Sequence, residues 1–202
     1  MSRSNKLPFA QGATALGSTA FSADNLTSLN HLEGQTVYLP DIDPAGDGKT
    51  RRSNEDIVAK VVRNRHSGVL LPGEACKWMA TESGTIRFGT SVQENTTENG
   101  HIAGFVDDHV HATNGVPVND LFYLIIKGPC TVATKANGAA TAGGEYKQGG
   151  LVYASDEAGH VEGFTNEYGN LTSSAGAHNF AGRFMDDVDD GVTTALVYVD
   201  CD

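Results

Sequence analysis

The sequence of 202 residues predicts an all-β fold, a small barrel or sandwich body with an extended N-terminal arm. Two observations predict it. Short runs rich in β-branched and aromatic residues recur at close intervals, each bounded by Gly, Asn, Asp or Pro, which is typical of sandwiches and barrels. No segment after Arg65 shows a helical period, and the chain has 24 glycines, above the usual share of about 7%.

Residues 1–34 are the predicted arm. Small and polar residues separate its single apolar side chains at irregular intervals, so the segment cannot bury a face of its own. Two interpretations stay open, a disordered leader and an extended arm that orders against a partner. In the second interpretation the anchoring side chains are Leu7, Phe9, Leu16, Phe21 and Leu26.

Residues 35–67 are predicted to form a β-rich connecting segment. It contains "TVYLP", a short strand that ends at proline, and "DIVAKVVRN", whose alternating apolar residues favour a strand, with a short helix as the alternative.

The rest of the chain is predicted to hold two related β units, residues 68–128 and 129–202. In the first, "LPGEACKW", "RFGTSV", "HIAGFVDDH" and "GVPVNDLFYLIIKG" follow one another; in the second, "IKGPCTVATK", "KQGGLVYA", "NFAGRFMDD" and "DGVTTALVYVD" recur in the same order. Such self-similarity indicates a repeated supersecondary unit. The glycine of each Ala-Gly step indicates a bulge or a close backbone approach within a strand, and the Asp-Asp after it suits a turn.

Histidines follow the Asp-Asp in the first copy alone. On a strand, His109 and His111 project to the same face, and Asp107 adds a carboxylate, so the three side chains match a known ligand set for divalent ions. The alternative is a solvated or interface hairpin, because the phrase has no third histidine. We therefore predict no resident metal or cofactor and keep these three residues as the candidates.

Charge and composition exclude several classes of function. The net charge of −11 disfavours nucleic acid as a partner, since such binding depends on Lys and Arg. The charge is uneven: eight Lys and Arg face seven Asp and Glu up to His66, and six face 18 after it. No apolar run has the length of a signal peptide or of a membrane span, so we expect no export signal and no membrane partner.

Cysteine and serine patterns do not predict an enzyme. The cysteines Cys76, Cys130 and Cys201 lie far apart without a CxxC motif, and the chain has no G-x-S-x-G motif for a nucleophilic serine. Adjacent aspartates in turns are typically solvated, so they do not by themselves indicate acid-base catalysis. We predict that the chain is not an enzyme.

Three phrases of the chain, "NDLFYLIIKGP", "GGLVYAS" and the "AGR" strand ahead of the last hydrophobic run, resemble the capsid decoration (cement) proteins of tailed bacteriophages. The resemblance covers roughly residues 58–199. It implies a small β-rich virion protein, without cofactor or enzymatic activity, that is made in the host cytoplasm. It further implies that the protein binds the major capsid protein on the outside of an icosahedral head, as a homotrimer, and stabilises the shell.

Two other functions are kept as alternatives. One is a head-fibre or tail-associated β module that recognises a host surface glycan, which exposed aromatic residues on one loop face would favour. The other is a metal-dependent enzyme centred on His109 and His111.

Overall fold

The structure is a computed structural model, and it describes residues 33–41, 56–80, 89–96, 101–135, 146–155, 157–163, 180–189 and 191–201. These residues form ten strands: β1 Thr36–Pro40, β2 Asp56–Asn64, β3 Ala75–Trp78, β4 Ser91–Glu94, β5 Gly104–Val106, β6 Leu121–Ala133, β7 Leu151–Ala154, β8 Val161–Gly163, β9 Gly182–Phe184 and β10 Thr194–Asp200. The described ranges contain no helix, and so no helix in them could cross a membrane. The predicted all-β class is confirmed.

The strand pairings form two circuits that share β6. In the first circuit β2 pairs in parallel with β4, and the antiparallel pairs β4–β3, β3–β5, β5–β6 and β6–β2 lead back to β2. In the second, Thr134, just after β6, bridges in parallel to Val161 of β8, and the antiparallel pairs β8–β7, β7–β9, β9–β10 and β10–β6 lead back to β6. Order and direction are the same in both, so the topology repeats.

Equivalent hydrogen bonds identify the matching residues of the two circuits. Ala103 N–H donates to the carbonyl of Cys76 at 2.7 Å, and Ala181 N–H donates to that of Val152 at 2.9 Å. The two Ala-Gly phrases therefore occupy equivalent places: one lies beside β3 in the first circuit, and the other lies beside β7 in the second.

For the first two elements of the repeat, the strand pairings match different phrases of the two circuits from those that the sequence suggested. The pairing matches β3, in "LPGEACKW", with β7, in "KQGGLVYA", and it matches β4 with β8. The expected match of "LPGEACKW" with "IKGPCTVATK" is wrong, because the latter lies in β6, which closes the first circuit and opens the second. Since β6 runs across the predicted division after residue 128, the unit boundaries stay a prediction, as does the barrel or sandwich form.

The core lies between the strands of both circuits. In β2, Ile57, Ala59 and Val61 are fully buried, and this segment is a strand rather than the alternative helix. Aromatic rings also contribute to the core: Phe105 and Phe122 are fully buried, and Phe184 stacks on Tyr146 with ring centroids 4.9 Å apart.

The glycines of the Ala-Gly steps lie where a neighbouring strand comes very close. Gly104 has φ of +153° and Gly182 of +152°, in the region that favours glycine. A Cβ on Gly104 would lie 2.5 Å from the carbonyl oxygen of Ile125, and one on Gly182 would lie 2.1 Å from that of Tyr198. The predicted close approach inside the strand is confirmed at both positions.

We expect Gly104→Ala and Gly182→Ala each to lower the free energy of unfolding by roughly 2 to 5 kcal/mol, because backbone strain adds to a clash with a backbone oxygen that cannot move aside. Urea unfolding followed by circular dichroism measures the loss. Gly68→Ala is the control, since its Cβ would meet only the His66 ring at 3.4 Å. Equal stabilities of the three variants would contradict the close-approach interpretation.

Candidate interaction surface

The loop after β5 holds the candidate metal ligands, and its polar groups bond within the protein. The Asp107 carboxylate accepts the His109 N–H at 3.1 Å, as expected of Asp at the start of a turn. The ring Nδ1 of His111 accepts the N–H groups of Thr113 and Asn114, each at 3.2 Å.

Those bonds place the two histidines differently. The His109 side chain is nearly buried, with Nε2 4.0 Å from an oxygen of Asp108, whereas His111 is exposed and shapes the end of the loop. Among the described residues, no three His, Cys, Asp or Glu side chains group as metal ligands. The prediction of no resident metal, with Asp107, His109 and His111 as the candidate ligands, stays a prediction.

The second aspartate of each Asp-Asp pair supports the fold. Asp108 accepts the N–H of Thr131, in β6, at 2.8 Å, which ties the loop to the shared strand. In the second circuit Asp187 accepts the N–H of Gln148 at 2.8 Å and lies 3.6 Å from Lys147 Nζ. The Gln148 hydrogen bond, with help from Lys147, lowers the pKa of Asp187. The repeated carboxylates thus belong to the scaffold, a role that their turn position indicated.

The cysteine nearest to ionisable groups is also structural. Burial raises the pKa of the Cys76 thiol well above its usual value, and the adjacent Glu74 and Glu94 raise it further. A protonated, fully buried thiol does not act as a nucleophile.

Among the described residues, three exposed large apolar side chains lie in the first circuit, whereas Phe180 and Val192 lie in the second and Tyr38 lies in β1. Leu70 and Val116 form a bridge whose own side chains are buried, and the flanking residues Val69 and Leu71 are 47% and 41% exposed. Val118, two residues beyond the bridge, is 41% exposed. We call Val69, Leu71 and Val118 the apolar patch.

The loop with the histidines packs closely on this patch. Gly115, at its end, has φ of +53°, and a Cβ there would lie 2.3 Å from Cγ1 of Val69. The end of the loop therefore contacts the apolar patch at Val69.

The equivalent place in the second circuit carries charges. The bridge there joins Tyr146 and Val188, with the same mutual hydrogen bonds, and the flanking residues Lys147 and Asp187 form an ion pair. Because the fold accepts Lys147 at the place of Leu71, an apolar side chain is not required there for folding.

A buried polar cluster lies behind the apolar patch. The amide of Asn64, which is fully buried, donates to the carbonyls of Val116 at 2.8 Å, Gly68 at 3.1 Å and Pro117 at 3.2 Å. This residue fixes the two segments that present the patch. Asn64 was not among the predicted site residues, although an Asn at the end of a strand is itself a signal of a turn.

The described chain begins beside this cluster. Glu33 pairs with the buried Arg63, which also donates from Nη1 to the carbonyl of Asn119 at 2.7 Å. The predicted arm anchors Leu7, Phe9, Leu16, Phe21 and Leu26 lie outside the described residues, and their role stays a prediction.

Comparisons with known proteins show only weak likenesses. No family model matches the chain, and no curated protein matches it. A solved capsid structure of Myoviridae phage XM1 is 17% identical over 80% of this chain and 92% of that one, with a TM-score of 0.38. The N base of the head fibre protein gp8.5 of bacteriophage phi29 is 14% identical over 70% and 93%, with a TM-score of 0.36. At these scores neither likeness supports a functional argument.

Stability is expected to depend on pH through Asp120, which follows the apolar patch. Burial raises the pKa of this carboxyl to about 6, although nearby Arg63 lowers it. The folded state therefore holds a proton that the unfolded state, with a pKa near the usual 3.8, releases. This contribution is complete below the unfolded pKa and is lost as the pH rises through about 6, by on the order of 1 to 3 kcal/mol.

The test compares the free energies of unfolding in urea of the unchanged protein and of Asp120→Asn, at several pH values between 4 and 7. As the pH rises, the stability of Asp120→Asn should fall less than that of the unchanged protein. Asp200→Asn, which changes an exposed side chain, should show the full decrease. Parallel pH profiles of the unchanged protein and Asp120→Asn would refute the assignment.

Proposed function

We propose that the chain is a structural protein of a phage virion that binds the outer surface of the head and cements the shell. The observation that carries the proposal is the contrast between exposed Leu71 of the apolar patch and Lys147, which forms an ion pair with Asp187 at the equivalent place. Exposed apolar side chains that the fold does not need are typical of a binding surface. The resemblance of its strand sequences to decoration proteins supplies the partner, the major capsid protein.

The fold suits a protein that holds neighbouring subunits together. The first half of β6, Leu121 to Lys127, pairs with β2, and the second half, Lys127 to Ala133, pairs with β10, so a force on one circuit passes to the other through one continuous strand. Assembly as a homotrimer is part of the proposal and follows from the resemblance.

The N-terminal arm completes the proposed role. Its scattered apolar residues would add contacts to a second subunit, and linked contacts slow dissociation more than their separate affinities suggest. Glu33 and Arg63 would fix the point from which the arm departs. The arm stays polar in the free protein, which avoids the aggregation that a larger permanent patch would cause.

The first test places in the apolar patch the charged residue that the second circuit has at the equivalent position. Leu71→Lys copies Lys147, its equivalent, and we expect at least a tenfold loss of binding to undecorated heads in co-sedimentation, because a charge would be buried against the shell. Lys147→Leu is the matched control and should bind normally. Undiminished binding of Leu71→Lys, with unchanged circular dichroism, would remove the patch from the docking surface.

The second test removes the arm. A chain that begins at Glu33 should keep its circular dichroism spectrum and its urea midpoint, because it retains all the body strands and the pair of Glu33 with the buried Arg63, yet should dissociate faster from heads. The measurement is retention of bound protein after dilution of decorated heads. Equal retention of the full and shortened chains would confine binding to the body.

A further inference from the structure

One strand edge stays open in the part of the chain that the structure describes. Every strand of the two circuits has partners on both edges, β8 through the single bridge of Val161 to Thr134, whereas β1 pairs with β2 alone. An open edge presents backbone N–H and C=O groups that pair readily with another strand.

A glycine bulge decides which groups face that edge. Gly34, with φ of +82°, donates its N–H to the carbonyl of Val61 at 2.7 Å, and Val61 N–H donates to the carbonyl of Gln35 at 2.9 Å. This is the bulge geometry in which glycine is preferred. The Gln35 carbonyl therefore faces β2.

From Gln35 onward the backbone groups alternate between the two edges, as they do in an antiparallel strand. Val37 and Leu39 thus bond to β2, while Thr36 and Tyr38 direct both their N–H and their C=O groups to the open edge. Pro40 has no N–H to offer. The available hydrogen-bonding groups are arranged symmetrically around Val37.

The side chains share this symmetry. Thr36 and Tyr38 lie on the solvent face, with Tyr38 70% exposed, whereas Leu39 is buried and Val37 is half-buried against the core. Threonine, valine and tyrosine are the residue types that favour a β-strand.

We propose that β1 pairs with β1 of a second copy, antiparallel and centred on Val37. In that register Thr36 lies opposite Tyr38 of the partner subunit, and each such pair exchanges two hydrogen bonds, so all four outward groups of each strand are used. The solvent face then gains two β-branched–aromatic pairs, which are favourable cross-strand neighbours. A twofold contact of this kind uses the same surface on both copies.

This inference goes beyond the proposed function and does not rest on it. A twofold contact is also compatible with trimers on a head, because neighbouring threefold positions of an icosahedral shell are related by twofold axes. The paired segment is short compared with stable interfaces, which bury about 1,600 Å², so the contact is expected to be weak in dilute solution. Covalent trapping is therefore the suitable test.

The experiment uses full-length chains that carry Cys201→Ser, with either Thr36→Cys or Tyr38→Cys. Facing residues of a hydrogen-bonded pair have Cα atoms about 5.5 Å apart, within reach of a disulfide. Identical residues of the two strands are offset along the sheet and lie too far apart. When the two proteins, one with a mass tag, are mixed and oxidised, the mixed disulfide should form several-fold faster than either disulfide between like chains.

Val192→Cys, exposed and outside β1, gives the rate of chance collision. A mixed disulfide that forms no faster than this control, or equal rates for all combinations, would overturn the proposal. Amide exchange of the unchanged protein tests it without a substitution: exchange at Thr36 and Tyr38 should slow as protein concentration rises, while Val37 stays constant. Concentration-independent exchange at Tyr38 would also overturn it.

Discussion

The antiparallel pairing of β6 with both β2 and β10 is the constraint on which the rest of the structure depends. The thirteen residues of β6 divide along its length: Leu121 to Lys127 pair with β2, and within them Leu124 and Ile125 with β5, which closes the first circuit, and Lys127 to Ala133 pair with β10 in the second. Since neither circuit exists without this strand, the two cannot separate as independent domains. Its side chains are accordingly buried along nearly the whole length, and the Asp108 carboxylate that anchors the histidine loop bonds to its backbone.

Close backbone approach follows from this arrangement. A circuit of short strands brings β5 against β6, and β9 against β10, at separations that a side chain would prevent, and Gly104 and Gly182 supply both the space and the backbone conformation. The Ala-Gly phrase therefore recurs for a steric reason, independent of any chemistry at the surface. The carboxylates after it recur because each circuit needs a turn at the same point.

Because the scaffold is repeated, positions at which the two circuits differ identify side chains that the scaffold itself does not require. Leu71 stands where the second circuit has Lys147, and the buried Asp120 stands where it has Thr193. Neither difference changes the strand order. The apolar patch and its support by Asn64 lie in the first circuit, and Glu33 pairs with Arg63 of that circuit, which makes that end of the body the candidate binding end.

The all-β class, the strand character of most segments and the equivalence of the two Ala-Gly steps were determined by the sequence, because they depend on local patterns and on glycine's lack of a Cβ. The correspondence of β3 with β7 was not, since it depends on which strands pair across long loops, and short apolar strands resemble one another too closely to identify their partners. The same holds for the patch and for the open edge of β1. Whether Leu71 is exposed or a strand edge is free is decided by the neighbours that packing brings to it, and only the tertiary structure contains them.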